Sequence, residues 1–123
     1  MATASPVFNP PVSGGQTVIS TPYVASFTPD LSLGDNLMFV MELTGNVTVA
    51  NPINTVEGRE FTFRFLQGGG GGFTISFGSA YRGSNDTALP STTSTAGATD
   101  YFAFKHNSVS GKEDFVAPNK GFL

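Results

Sequence analysis

Glu60 to Phe77 reads EFTFRFLQGGGGGFTISF. Phe61, Phe63 and Phe65 fall on one face of an extended chain and Thr62, Arg64 and Leu66 on the other, a period of two that marks a strand. After the glycines Gly68 to Gly72 the alternation returns, with Phe73, Ile75 and Phe77 set against Thr74 and Ser76. The spacing predicts a β-hairpin across the glycine run. Each inward apolar side chain gains roughly 1.5–3 kcal/mol on burial, before entropy is subtracted. A lone hairpin is marginal in water, so further strands must cover its phenylalanine face.

The rest of the chain supplies them. Gln16 to Tyr23 predicts a first strand, limited by Pro22 to an edge, with Val24 to Thr28 continuing after a bend. Asn36 to Leu43 (NLMFVMEL) is nearly continuously apolar, as in a strand buried on both sides. Gly34 and Gly45 leave it too short for a stable helix. Val47 and Val49 alternate with Asn46 and Thr48, and the short link Thr44–Gly45 predicts a tight hairpin with the preceding strand. Asp100 to Asn107 predicts a strand with Phe102 and Phe104 on one face, and Glu113 to Val116 a last one after a turn at Gly111. Gly78 to Ala98 reads as a long loop anchored by Tyr81, Leu89 and Pro90, and loops of this length are usually functional or docked on a partner.

The 123 residues suit one domain, and their 15 Gly, 8 Pro, 12 Phe and 12% charged residues are the vocabulary of short strands and turns. The expectation is an all-β fold, a jelly-roll-like antiparallel β-sandwich over residues 16–123 with almost no helix. Residues 1–15, with Pro6, Pro10, Pro11, Gly14 and Gly15, are expected to form an extended N-terminal arm. No repeat of fixed period points to a solenoid.

A net charge of −3 with only six Lys plus Arg leaves no basic patch for phosphates, so no nucleic-acid partner is expected. With no cysteine, stability must come from packing or association. The first residues lack the basic start and apolar run of a signal peptide and no 18-residue apolar run occurs, so the chain is expected to be made without a secretory or membrane signal.

Chemistry finds little footing. His106, the single histidine, reads as a strand-end residue near the surface, with no cysteine beside it for a zinc site or relay. Glu57, Glu60, Asp86, Asp100, Glu113 and Asp114 leave room for a glycosidase-like pair, the last-ranked reading, because nine acids on a chain of this size bring some carboxyls together by chance; the acids near Asp86 and Asp100 offer calcium ligands without EF-hand spacing. The glycine run is followed by a strand where a phosphate loop needs a helix. It reads as a flexible connection, or as room for another backbone passing close by in an assembly. The sequons at Asn46 and Asn85 read as incidental without a secretory signal. No catalytic residue, cofactor or metal is expected.

The succession GNVTVANPINTVEGREFTFRFLQ, then glycines, FTISFGSAYR, LPSTTSTAGATDYFAFKHN and KGF resembles a β-rich module of tailed-phage virion proteins, found in tail-fibre, head-fibre and capsid-associated chains. The family's pattern sits at Gln67, Gly68 to Gly72, Phe73 to Phe77, Leu89–Pro90 and Ala98 to Asp100, and covers about two thirds of the chain. Many members carry a tryptophan after the glycine hairpin, a place Phe77 or Tyr81 fills here. The resemblance implies a structural role in the virion. The short chain with an arm fits a capsid decoration (cement) protein: a homotrimer on the outer capsid surface, made in the host cytoplasm, that binds the major capsid protein. Val7 and Phe8 in the arm, Tyr81 and Arg82 in the long loop, and Phe122 and Leu123 in the tail are the expected partner contacts. The alternative is a fibre receptor-binding module that uses the Gly78 to Ala98 loop to recognise a host glycan.

Overall fold

A computed structural model describes residues 16–123. The strands are β1 (Thr17–Ser20), β2 (Ser26–Phe27), β3 (Asn36–Leu43), β4 (Val47–Val49), β5 (Glu60–Gln67), β6 (Ile75–Phe77), β7 (Tyr81–Arg82), β8 (Thr99–Asn107) and β9 (Lys112–Phe122), with one 3-10 turn at Leu31–Leu33. The fold is all-β. The strands form a six-stranded sheet ordered β1-β3-β5-β8-β9-β7 and a three-stranded sheet ordered β2-β4-β6.

The first six strands alternate between the two sheets, and every pairing among them is parallel. The chain is therefore wound like a coil, each turn laying one strand in each sheet. Thr17 lies beside Leu37 and Leu37 beside Phe61, offsets of 20 and 24 residues. These unequal turns explain why the sequence shows no fixed repeat. The winding ends at β8, which pairs antiparallel with β5 and with β9, and β7 closes the far edge parallel to β9.

The winding corrects two expected hairpins. Residues Glu60–Gln67 and Ile75–Phe77 are strands, but they lie in opposite sheets instead of pairing across the glycines. Likewise β3 and β4 are joined by an arch that passes from one sheet to the other. A hairpin would have left the phenylalanine face open, whereas the arch lays Val47, Val49 and Ile75 over it, all buried. The expected antiparallel sandwich is accordingly a mixed one, with antiparallel pairing confined to β5, β8 and β9.

Gly45 lets the first arch close, because a Cβ there would sit 2.7 Å from the Tyr23 hydroxyl. That hydroxyl donates to the Asn46 carbonyl at 2.6 Å. Gly71, at φ +67°, would place a Cβ 2.3 Å from the Ala96 nitrogen. The backbone that passes close to the glycines thus belongs to this same chain. Gly72 N–H donates to Ser94 O at 2.6 Å, Thr93 N–H to Phe73 O at 2.9 Å and Gln67 N–H to Ala98 O at 2.8 Å. Much of the long loop is in this way tied to its own domain.

The core is a stack of phenylalanines on the inward face of the larger sheet. Leu37, Phe39, Met41 and Leu43 of β3, Phe61, Phe63 and Phe65 of β5, Phe102 and Phe104 of β8 and Phe115 of β9 are all buried. Met38 and Val40, which a doubly buried strand would enclose, are only half-buried on the other face. Phe104 and Phe115 approach to 5.0 Å between ring centroids, and Phe27 meets Phe39 edge-on at 5.4 Å. Such pairs add to the area term because ring edge and ring face carry opposite partial charge. The last strand runs well past the expected Glu113–Val116, through Phe122. A bulge between its Ala103 and Phe104 pairings leaves Val116 unmatched.

Candidate interaction surfaces

Alternation along β8 turns Asp100, Phe102, Phe104 and His106 to the same, inward side. His106 is therefore buried, 6% exposed, instead of open to solvent as its strand-end position suggested. It faces Glu113 on β9, its register partner, which is 1% exposed. The ring Nδ1 lies 2.9 and 2.8 Å from the two carboxylate oxygens. A carboxylate only accepts, so Nδ1 carries the hydrogen and the ring is held in one tautomer. Nε2 has no hydrogen-bond partner among the described residues. His106 also lines a surface cavity of about 260 Å³ with Glu57, Lys105, Asn107 and Asp114.

Burial pushes the Glu113 carboxyl above its ordinary value, and the hydrogen bond from His106 opposes the shift. Tyr81, beside Glu113 in the register, has its phenol raised far above the usual range by burial first and by the Glu113 charge second. The histidine, carboxyl and phenol thus form a polar seam at one end of the phenylalanine core. The seam fixes a ring and a proton between two strands; it joins β8 to β9.

A second buried carboxylate sits at the other end of β8. Asp100 is fully buried and accepts from Ser94 N–H at 2.8 Å, Ser94 Oγ–H at 2.6 Å and Gly121 N–H at 2.9 Å, with Gln67 Nε2 at 3.4 Å. One side chain thereby pins the long loop, β5 and the end of β9 together. Its oxygens are taken by its own chain, and Asp86 is exposed in the loop. Among the described residues no cluster of three or more His, Cys, Asp or Glu is placed to hold a metal ion.

The expected partner contacts fall in three settings. Val7 and Phe8 lie outside the described residues. Tyr81 is 4% exposed, with its hydroxyl donating to Ala50 O at 2.9 Å, so it acts as the loop's anchor and offers no surface for a partner. Arg82, its neighbour on the strand, faces outward and donates from Nε to Asp114 at 2.5 Å. That bond is the leading cause holding the Asp114 carboxyl below its ordinary value. Arg82 and Asp114 also line a cavity of about 380 Å³ with Ser84 and Asn85. Phe122 and Leu123 are 55% and 98% exposed. Phe122 packs edge-on against Tyr101 at 5.6 Å and Leu123 is open to solvent. Arg82 and the Phe122–Leu123 pair are on different parts of β9's surroundings, so they do not form one site.

Sequence reasoning passed over the His106–Glu113 pair and the Asp100 knot. The signal was present in both cases: each residue shares its parity with an inward phenylalanine of the same strand. Compared with known proteins, the chain matches no family model and none of the curated proteins.

Proposed function

We propose that this chain is a virion structural protein of a tailed phage, a homotrimeric capsid decoration protein that binds the outer surface of assembled major capsid protein. The observation that carries the reading is the exposed apolar pair Phe122–Leu123 at the rim of an all-β domain whose buried carboxylates, Asp100 and Glu113, are spent on holding strands together. The virion setting rests on the sequence resemblance. The mechanism is mass action: a protein that binds only the assembled shell shifts the equilibrium away from free subunits, by RT ln(1 + [L]/Kd) per site. Its exposed Arg82 and the Phe122–Leu123 pair supply a charged and an apolar contact, and Val7 and Phe8 supply the reach of the arm.

Co-sedimentation with empty capsids tests this reading, using the full chain and a chain lacking residues 1–15. The full chain is expected to pellet with capsids and to remain in the supernatant with unassembled capsid protein. Removal of the arm is expected to weaken binding at least tenfold. Equal binding of the shortened chain removes the arm from the mechanism, and failure of the full chain to pellet removes the decoration role.

One observation favours a second reading, a receptor-binding module for a host glycan. The cavity beside Arg82, Ser84, Asn85 and Asp114 presents donors and acceptors of the kind that orient sugar hydroxyls. Retention on immobilised host surface glycan, lost in Asn85→Ala, would support it over capsid binding.

A further inference from the structure

The outward face of the six-stranded sheet carries no second layer among the described residues, since the three-stranded sheet packs on the opposite, phenylalanine face. Its centre is largely apolar. Register places Met38, Thr62 and Ala103 in one row and Val40, Arg64 and Tyr101 in the next, all half-buried by one another.

Arg64 stands apart from every other cation of the chain. Arg59 bonds Leu31 O and Asp35, Arg82 bonds Asp114, Lys105 pairs with Glu60, Lys112 donates to Ser79 O and Lys120 to Thr92 O. These are five of the six Lys and Arg residues; Arg64 has no partner among the described residues. The carboxylates divide in the same way. Asp30, Asp35, Glu57, Glu60, Asp100, Glu113 and Asp114 all have partners, which leaves Glu42 and Asp86 without one among the described residues. Glu42 lies on this same outward face. Val40 is the register partner of Arg64 and Glu42 that of Leu66, so the unpaired cation and the unpaired anion are diagonal neighbours that do not meet.

A face that holds an apolar centre with one charge of each sign unpaired among the described residues can meet another copy of itself cation to anion. We propose that this face packs against further copies of the same chain, with Arg64 of one copy meeting Glu42 of the next. The inference rests on the homotrimer of the reading above for its closure at three, but needs no capsid. The four long strands of this face, β3, β5, β8 and β9, have eight to eleven residues each; at about 4.8 Å between strands they present roughly 500 Å², smaller than the ~800 Å² per partner of specific interfaces, so the charge pair must help to hold the contact. Opposite charges set the register of such an interface, and like charges brought together there oppose it.

Charge reversal tests the pair. Sedimentation equilibrium of the full chain without capsids is expected to give three times 12.8 kDa, and Arg64→Glu and Glu42→Arg each to weaken association at least tenfold with the circular dichroism spectrum unchanged. The double variant Arg64→Glu/Glu42→Arg is expected to recover the wild-type mass. A wild-type dimer whose mass is lost and recovered in the same pattern supports this face and overturns the trimer. Single variants that keep the full mass overturn the face and leave the trimer standing. A monomeric wild type, including one whose residues 1–15 lie over the face, overturns both.

Discussion

His106→Ala is expected to lower stability by about 3–5 kcal/mol at neutral pH, because it strips the partner from a buried carboxylate and leaves the charge uncompensated. Glu113 is 1% exposed, and the ring Nδ1 is the group within 2.9 Å that offsets its desolvation. The loss should depend on pH with a definite sign. Burial already raises this carboxyl above its ordinary value of 4.5, and without the histidine nothing from that side opposes the rise. The native state then holds a proton that the unfolded chain releases at lower pH. Its cost is present in full above the raised native value and fades as pH falls toward 4.5. Urea unfolding of wild type and variant at pH 7 and pH 5 checks this: the gap between them should narrow at the lower pH. Asp30, Glu57 and Asp114, whose carboxyls are held below their ordinary values, lose stability on acidification in both proteins; Asp30 cancels from the difference, while Glu57 and Asp114, on which the His106 charge is a lesser lowering cause, cancel in the main. A gap equal at both pH values would assign the effect to ring packing instead of charge. Replacing both partners by leucine should fall within about 1 kcal/mol of wild type, since an apolar pair needs no desolvation.

Phe63→Ala is expected to cost about 3–5 kcal/mol as well, through lost transfer energy and the cavity left behind. Phe63 is fully buried at the centre of the stack. Its ring centroid lies 5.8 Å from those of Phe39, Phe65 and Phe104, 5.7 Å from Phe61 and 6.4 Å from Phe27. The surrounding rings are held by strands of both sheets, so the site can collapse only by moving one sheet toward the other. Against a total of about 5–15 kcal/mol for a domain, the variant should be largely unfolded at moderate denaturant. Phe63→Leu, which keeps most of the volume, should cost about 1–2 kcal/mol. Denaturant titration with an unchanged m-value checks both; a loss under 1 kcal/mol for Phe63→Ala would show that the two sheets are less tightly coupled than this packing requires.

The strands were legible in the sequence because period-two alternation is local. Phe61, Phe63 and Phe65 point inward as their spacing requires, and so do Phe73, Ile75 and Phe77. What joins those strands was not legible. The alternation of Glu60 to Gln67 is satisfied equally by a hairpin partner and by a parallel neighbour 24 residues away. The choice was made by the need to cover one apolar face, a property of the whole chain. The glycine run misled for the same reason: five glycines permit a tight turn, but Gly71 is required by the approach of Ala96, far along the sequence. The polar seam was legible in part. His106 and Asp100 share the parity of Phe102 and Phe104, and Glu113 that of Phe115, so a strict reading of the strands places all three inside. Their partners could not be found that way, because pairing β8 with β9 at the His106–Glu113 register depends on the length of the turn at Gly111. Tyr81 shows the converse. An aromatic in a long polar loop can face a partner or anchor the loop, and only the packing against Phe77 and Phe104, at 5.2 and 5.1 Å, decides for the anchor.

We propose that the protein coats an assembled capsid. Electron microscopy of virions labelled with gold-conjugated antibody against this chain tests it most directly. Label distributed over the whole icosahedral surface is expected; label confined to a single vertex or to fibre tips would contradict capsid coating.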